Sequence, residues 1–302
     1  MMARRIASLL PSVTEIACAL GLGDRLVARS HECDFPPEVL HLPAVTAGRL
    51  PPDVTTQAQV DDAVTQAASA GEALYEVHAD LLGSLAPDLV LTQSLCDVCA
   101  VDEDQVRAAL GAIDPPPAIV SLAPGRLDEV IDSVADVARA AGVEERGDQL
   151  IAGLRRRLAA VRERVAGARP VRVAAVEWLD PPWSAGHWVP DQVAAAGGEE
   201  VMISAGARSA RISWDDVRAA RPDVVVLMPC GLSLAQVAEL AHQVPPLPVP
   251  VAMVDASGLF SRPGPRLADG VEVLAAILHP RPGDPPPGDA WAWRDGPSGY
   301  TR

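Results

Sequence analysis

The chain has 302 residues, of which 49% are hydrophobic, and a formal net charge of −15. This length favours two domains, each with a sizeable core. Because nucleic-acid binding needs a basic surface, the acidic balance excludes nucleic acid as a partner. No stretch approaches the roughly 20 apolar residues that a membrane-spanning helix needs, so we expect no membrane insertion.

Short apolar runs alternate with helical patterns along the first 125 residues. We expect strands at residues 5–10, 26–29, 89–92 and 119–122. Ser12 and Glu15 have the spacing of a capping box, which predicts a helix over residues 12–20 with Ser12 as its N-cap. Strand–helix alternation of this kind predicts a parallel sheet, and hence an α/β fold.

A helical segment then separates two α/β halves. Residues 126–141 and 146–165 are predicted helices, and the second has an apolar stripe at helical spacing. Strands are predicted again at residues 171–177, 224–228 and 251–255. Seven of the ten residues from 280 to 289 are Pro or Gly, so we expect a disordered tail. The predicted organisation is 1–125 as an N-terminal α/β lobe, 126–170 as a connecting helical segment, 171–279 as a C-terminal α/β lobe and 280–302 as the tail.

Chemically distinctive side chains follow the predicted strands. Ligands of open parallel sheets bind outside the carboxyl ends of the strands, so these residues are the candidate ligand contacts. Large rings in loops are typical of a binding wall, and histidine is a common metal ligand. The candidates are Glu15, His31, Asp34, Gln93, Trp178, Trp183, His187, Trp188, Phe260 and Arg262.

The cysteines support a second hypothesis. The count is five, and an odd number without an export signal favours thiols over a disulfide framework. Four of them lie in the same predicted loops: Cys33, Cys96, Cys99 and Cys230. Thiolates prefer soft metals, so the alternative is a zinc, copper(I) or iron–sulfur site in a metal-binding protein or an enzyme. Redox catalysis by Cys96 and Cys99 is disfavoured because both precede the predicted helix at residues 102–110.

The remaining sequence signals favour binding over catalysis. There is no dinucleotide fingerprint, no P-loop and no nucleophile elbow, and no acid/base pair is tied to a pocket. We recognise no signal peptide, which predicts a cytoplasmic chain, or a periplasmic or cell-surface one if a leader was removed. A third reading is an interaction protein whose cleft takes no ligand.

Several strings resemble one family along residues 4–278. The opening 5–15 with 20–27, the strand at 86–91, the segment 188–201 with its Gly-Gly-Glu turn, and 260–266 resemble class III substrate-binding proteins of ABC transporters, which take cobalamin and iron siderophores. The strings 31–34, 96–99 and 186–188 resemble a cobalamin-binding subgroup.

The resemblance implies two Rossmann-like lobes joined by a long backbone helix, a class III periplasmic-binding-protein-like architecture. It also implies non-catalytic binding of cobalamin, or a related corrinoid or metal chelate, in the inter-lobe cleft, with an ABC permease as partner. The missing export signal and the loop cysteines depart from this family's pattern.

Overall fold

The chain divides into two compact units. In a computed structural model, the described residues are 3–93, 103–111, 115–281, 288 and 290–296. The N-terminal unit comprises Met1–Pro124 and Glu129–Gly153, and the C-terminal unit comprises Gly125–Asp128 and Leu154–Arg302. The observed α/β fold confirms the predicted fold class.

The N-terminal unit is built on a parallel sheet with the strand order β2-β1-β5-β6. A separate antiparallel pair, β3 with β4, was not predicted. The elements are β1 (Ile6–Ser8), α1 (Pro11–Ala19), β2 (Leu26–Ala28), β3 (Thr46–Gly48), α2 (Gln57–Ala70), β4 (Tyr75–Val77), α3 (Ala79–Ser84), β5 (Leu89–Gln93), α4 (Glu103–Leu110), β6 (Ala118–Leu122), α5 (Leu127–Ala141) and α6 (Glu144–Val165).

The apolar run of β5 is buried on both faces of this sheet. Leu89 and Leu91 join the core cluster that contains residues of α1 and α5. Val90 points to the opposite cluster, with residues of α3 and α4. Burial on both faces explains why the strand is a continuous apolar run rather than an alternating one.

Helix α1 begins one residue earlier than predicted, and the capping-box prediction is wrong. Leu10 is the N-cap, and no side chain caps the helix. The physical reason is Pro11 at the first helical position, where a missing N–H costs nothing and the fixed φ favours the helix. Ser12 and Glu15 are therefore buried within the helix.

Helices α5 and α6 each have residues in both units. The first two residues of α5, Leu127 and Asp128, belong to the C-terminal unit, whereas Val134, Val137 and Ala141 pack in the N-terminal core. Helix α6 has 22 residues, and its membership changes between Gly153 and Leu154. The predicted connecting segment is thus shared by the two units. None of the described helices is both long and apolar enough to cross a bilayer.

The C-terminal unit is built on a mixed sheet with the strand order β10-β8-β7-β11-β12-β13, and β9 also pairs with β7. Strands β7, β11 and β12 are parallel neighbours in its centre. The elements are β7 (Val171–Leu179), β8 (Pro182–Ser184), α7 (Val189–Ala195), β9 (Gly198–Glu200), β10 (Ala210–Arg211), α8 (Trp214–Ala220), β11 (Val224–Leu227), α9 (Leu234–Leu240), β12 (Val251–Val254), α10 (Ala256–Leu259), α11 (Leu267–Leu278) and β13 (Trp291–Asp295).

The expectation of a disordered tail is wrong for Trp291–Asp295. This segment pairs antiparallel with β12, and Trp291 is only 2% exposed. Burial of so large a ring offsets the entropy of ordering the segment. Residues 282–287, 289 and 297–302 lie outside the described residues.

Candidate functional site

Three loops at the carboxyl end of the N-terminal sheet are linked by buried polar contacts. The Ser12 hydroxyl in α1 donates to Oε1 of Gln93 at 3.3 Å, which links the loops after β1 and β5. Cys33 follows β2, and its Sγ lies 3.0 Å from Oγ1 of Thr14. The structure thus brings the predicted Gln93 and the neighbours of Glu15 to one edge of this sheet.

His31 lies in the loop after β2, and the hydroxyl of Thr46 holds its ring. The backbone N–H of His31 donates to Oγ1 of Thr46 at 3.1 Å, and Nδ1 lies 2.8 Å from the same oxygen. Partial burial lowers the pKa of His31 below 6.5. The nearby Glu32 carboxylate opposes this shift, and the charges of Arg29 and His78 add to it. Burial therefore favours the neutral form of the imidazole. Asp34, three residues on, is exposed.

The predicted loop at residues 181–188 contains strand β8, which was not predicted. It pairs antiparallel with β7, and Trp183 lies directly opposite Trp178. Because directly opposed residues share a face of the sheet, the two indoles form one aromatic surface. Both are half-buried. β7 extends past its pairing of Val176 with Leu227, the last residue of β11, so Trp178 lies beyond the carboxyl end of that strand.

His187 has a left-handed backbone conformation, with φ +54°. Its N–H donates to the Ala207 carbonyl at 2.7 Å, and its own carbonyl accepts from the Gly206 N–H at 2.9 Å. Burial lowers the pKa of His187 below 6.5, and the nearby Arg208 adds to the effect. A non-glycine residue is held in this conformation only when its surroundings over-determine it, and such strain is concentrated at functional sites.

Trp188 and Phe260, both predicted ligand contacts, are buried in the C-terminal unit. Nε1–H of Trp188 donates to the Phe260 carbonyl at 2.7 Å. The two side chains are 6% and 2% exposed, so neither presents a ring face to solvent. Their role in this structure is to hold the loops after β8 and β12 together.

The loops after β11 and β12 are also connected. Cys230 donates its N–H to the Glu177 carbonyl at 2.9 Å. The Gly231 N–H donates to Oγ of Ser261 at 3.1 Å, beside the half-buried Arg262. The C-terminal unit therefore gathers its predicted loops at the carboxyl end of its sheet, as the N-terminal unit does.

A groove of about 390 Å³ lies elsewhere, between β6 and α5 of the N-terminal unit. It is lined by Ser121 and by the exposed pair Asp136 and Arg139, among others. None of the predicted ligand contacts lines it. We therefore place the candidate site at the carboxyl-end loops, where the histidines and half-buried indoles are.

Comparison with known protein families matches residues 6–242 to the family described as "Periplasmic binding protein". The chain belongs to the periplasmic binding protein family. This membership confirms the resemblance seen in the sequence. Members of this family are non-catalytic substrate-binding proteins that deliver ligands to ABC permeases, so the prediction of a binding protein rather than an enzyme is confirmed.

Similar proteins bind metal-containing macrocycles. The chain is 25% identical over 267 residues to the vitamin B12-binding protein of Yersinia pestis (strain Pestoides F), which covers 88% of this chain and 82% of that protein. It is 26% identical to the periplasmic heme-binding protein of Roseiflexus sp. RS-1, with a TM-score of 0.66 over 90% of this chain and 97% of that one. The periplasmic vitamin B12 binding protein of Vibrio cholerae, at 22% identity, shares the fold with a TM-score of 0.65 over 91% and 96% of the two chains. The two solved structures are of periplasmic proteins, and they give no support to the predicted cytoplasmic location.

The thiolate hypothesis has no support in the described part of this binding protein. Cys96 and Cys99 lie outside the described residues. Cys33 is buried in the N-terminal unit, and Cys230 is exposed in the C-terminal unit. Among the described residues, no three His, Cys, Asp or Glu side chains come together as a metal site.

Sequence reasoning missed the residues that support the predicted ones. Thr46 and Tyr75 surround His31, and Gly206 and Ala207 hold His187. Arg211 lies opposite Trp183 in the neighbouring strand β10. The strand propensity of Thr46 and Tyr75 was a local signal for β3 and β4, but no local signal links either residue to His31.

Proposed function

We propose that this chain binds a cobalt corrinoid, cobalamin or a close relative, and delivers it to an ABC permease. The vitamin B12-binding relative supports the corrinoid, and the heme-binding neighbour supports the wider class of planar metal chelates. Binding and release of such a ligand need no catalytic group. The proposal therefore agrees with the family and with the lack of an acid/base pair in the sequence.

The Trp178–Trp183 pair is the observation that carries this proposal. A macrocycle offers a broad apolar face, and two neighbouring indoles on one face of a sheet offer an aromatic surface of matching character. The pair is half-buried although the rings are large, so part of each indole remains accessible at the carboxyl end of β7. Trp188 and Trp291 are instead covered, and the half-buried Trp214 packs on the C-terminal core, so it is the position at the carboxyl end of β7 that distinguishes the pair.

We assign the other contacts by their accessibility. His31 and Asp34 of the N-terminal unit, and His187 and Arg262 of the C-terminal unit, are exposed or half-buried at the carboxyl-end loops of their own sheets, and we propose each of them as a ligand contact. Glu15 and Gln93 lie beside the N-terminal loops and are almost fully buried. They touch the ligand only with the small part of each side chain that is exposed, and the hydrogen bond from Ser12 holds Gln93 in place. Trp188 and Phe260 position the loops.

Titration with cyanocobalamin, followed by tryptophan fluorescence and calorimetry, tests the proposal. We expect one site with micromolar or tighter affinity. Trp183→Ala should weaken binding at least tenfold, about 1.4 kcal/mol, because ring burial and stacking are lost. Trp183→Phe should keep most of the affinity.

Trp214→Phe is the matched control, because Trp214 packs on the C-terminal core at the start of α8 and not at the hairpin. Binding of hemin but not of cyanocobalamin would replace the corrinoid by a heme. Binding of neither would contradict the proposal. Zinc, copper or iron retained after anaerobic purification would then favour the thiolate alternative.

A further inference from the structure

The hydrogen-bonding capacity of the Thr46 hydroxyl determines the tautomer of His31. A hydroxyl has one proton to donate and two lone pairs. Oγ1 of Thr46 donates its proton to Oγ of Ser30 at 3.2 Å and accepts the backbone N–H of His31 at 3.1 Å. Its contact with Nδ1, at 2.8 Å, must then also be accepted. Nδ1 carries the imidazole proton, and the lone pair is on Nε2.

The orientation of the ring is also held. The ring of Tyr75 lies 5.6 Å from that of His31, tilted by 48°. The Tyr75 hydroxyl donates to Oε1 of Glu32 at 3.0 Å, and the Glu32 N–H donates to Ser30. Four neighbours from three elements therefore keep one exposed imidazole in place. Histidines that bind metal are typically held in this way, with the second ring nitrogen hydrogen-bonded to a fixed group.

The space beside Nε2 is kept open by a glycine. A Cβ built on Gly48 would lie 3.5 Å from Nε2, so any longer side chain at this position of β3 would occupy the approach to the lone pair. Gly48 itself is exposed and lies at the end of a strand. A larger residue is therefore compatible with the local backbone but not with a ligand at Nε2.

A single nitrogen donor does not make a site for a bare metal ion, which needs several ligands. The described residues offer His31 no group of further ligands. A metal that binds there must bring the rest of its coordination shell with it, as a macrocyclic chelate does.

We propose that Nε2 of His31 coordinates the metal of the bound chelate. The ligand class is then a planar cobalt corrinoid whose axial position is vacant or holds exchangeable water. This inference rests on the proposed function and assigns to its ligand one axial bond from this chain. Chelates with both axial positions blocked by inert ligands would bind without that bond.

Electron paramagnetic resonance of anaerobic cob(II)inamide bound to the protein tests the inference. This corrinoid has no nucleotide base, so any axial nitrogen must come from the protein. We expect nitrogen superhyperfine splitting of the cobalt signal in the unmodified chain. The splitting should disappear in His31→Gln and also in Gly48→Val, which leaves the Thr46 network intact and fits a strand.

His242→Gln is the matched control, since His242 is exposed on the other unit and is not a proposed ligand contact. It should keep the splitting. Bound cob(II)inamide without splitting, or with splitting that survives His31→Gln, would overturn the axial bond while leaving the proposed function intact. Binding of cyanocobalamin but not of cob(II)inamide would overturn the inference that the ligand is a corrinoid with a vacant or water-occupied axial position. It would also leave the proposed function intact. Binding of no corrinoid at all would overturn both proposals.

Discussion

The two units use the same part of their folds for different chemistry. In the N-terminal unit, the loop after β2 presents His31 from a network of directional hydrogen bonds through Thr46 and Ser30. In the C-terminal unit, β7 and β8 present Trp178 and Trp183 as an aromatic surface. The network around His31 fixes the position and direction of one ring nitrogen, whereas the tryptophan pair provides a broad apolar contact area.

This difference has physical consequences for mutation. A directional contact is lost when one partner in the network changes, even at constant volume, because a buried polar group is then left without its bond. An aromatic surface tolerates substitution by another ring and loses affinity in proportion to the area removed. The predictions below separate these two behaviours.

The largest loss of stability is expected when a buried tryptophan is replaced, rather than one that is partly exposed. Trp188→Ala should lower the free energy of unfolding by about 3–5 kcal/mol, because a large cavity forms and the bond to the Phe260 carbonyl is lost. Trp183→Ala should cost less than about 2 kcal/mol, since its side chain is already partly exposed. Denaturant unfolding checks this contrast, and equal losses would contradict the assignment of the two tryptophans to different roles.

Thr46→Val changes the network around His31 at nearly constant volume. We expect the affinity for cobinamide to fall by roughly 10- to 100-fold, as for other groups that orient a metal-bound histidine. Thr46→Ser keeps the hydroxyl and should retain most of the affinity. If valine and serine behave alike, the hydroxyl does not orient the ring.

Glu200 should make stability depend on pH in the C-terminal unit. Its carboxyl is buried, which raises the pKa to about 8, although the N–H groups of Met202, Ala175 and Val201 oppose the shift. The folded state therefore holds a proton that the unfolded chain, with a pKa near 4.5, releases. The contribution is fully present below 4.5 and is lost as the pH rises through 8, with a slope of up to about 1.4 kcal/mol per pH unit.

Glu200→Gln does not titrate, so the difference in unfolding free energy between the two proteins should change steadily from pH 5 to pH 8. Glu199→Gln is the matched control, because Glu199 is exposed and adjacent. A constant difference over this range would show that Glu200 is ionised in the folded state.

The smallest effect concerns the backbone at His187. Glycine adopts a positive φ without strain, so His187→Gly should raise the stability by about 0.5–1 kcal/mol, or roughly 1–4 °C in Tm. Gly186→Ala is the opposing control, since a Cβ there would lie 2.5 Å from the Ala207 carbonyl oxygen. A lower Tm for His187→Gly would mean that the imidazole itself stabilises the fold.

The sequence predicts the centre of each sheet better than its edges. Runs such as Leu89–Gln93 and Val224–Leu227 are buried on both faces, so their composition alone indicates a strand. Strands β10 and β13 lie at the two edges of the C-terminal sheet and β8 lies next to one edge. All three form by pairing with another strand, and such short segments carry little local signal. The Pro and Gly content of the tail predicts disorder, whereas the order of Trp291 depends on its pairing with the distant strand β12.

The residues of the candidate site also fall into those that local sequence predicts and those that depend on tertiary contacts. The rule that ligands bind at the carboxyl ends of parallel strands led to His31, Trp183 and Arg262, which the structure places in loops or strand ends at that side of each sheet. It did not distinguish Trp188 and Phe260, which are buried, because burial depends on the tertiary partner. Nor did it find Thr46, whose hydroxyl contacts the ring of a histidine 15 residues away.

Calorimetric titration of the unmodified chain with cyanocobalamin is the most direct test of the central claim, that this periplasmic binding protein takes a corrinoid. We predict one site per chain, micromolar or tighter affinity, and loss of at least tenfold in Trp183→Ala. No heat of binding and no rise in Tm at saturating cyanocobalamin would contradict the claim.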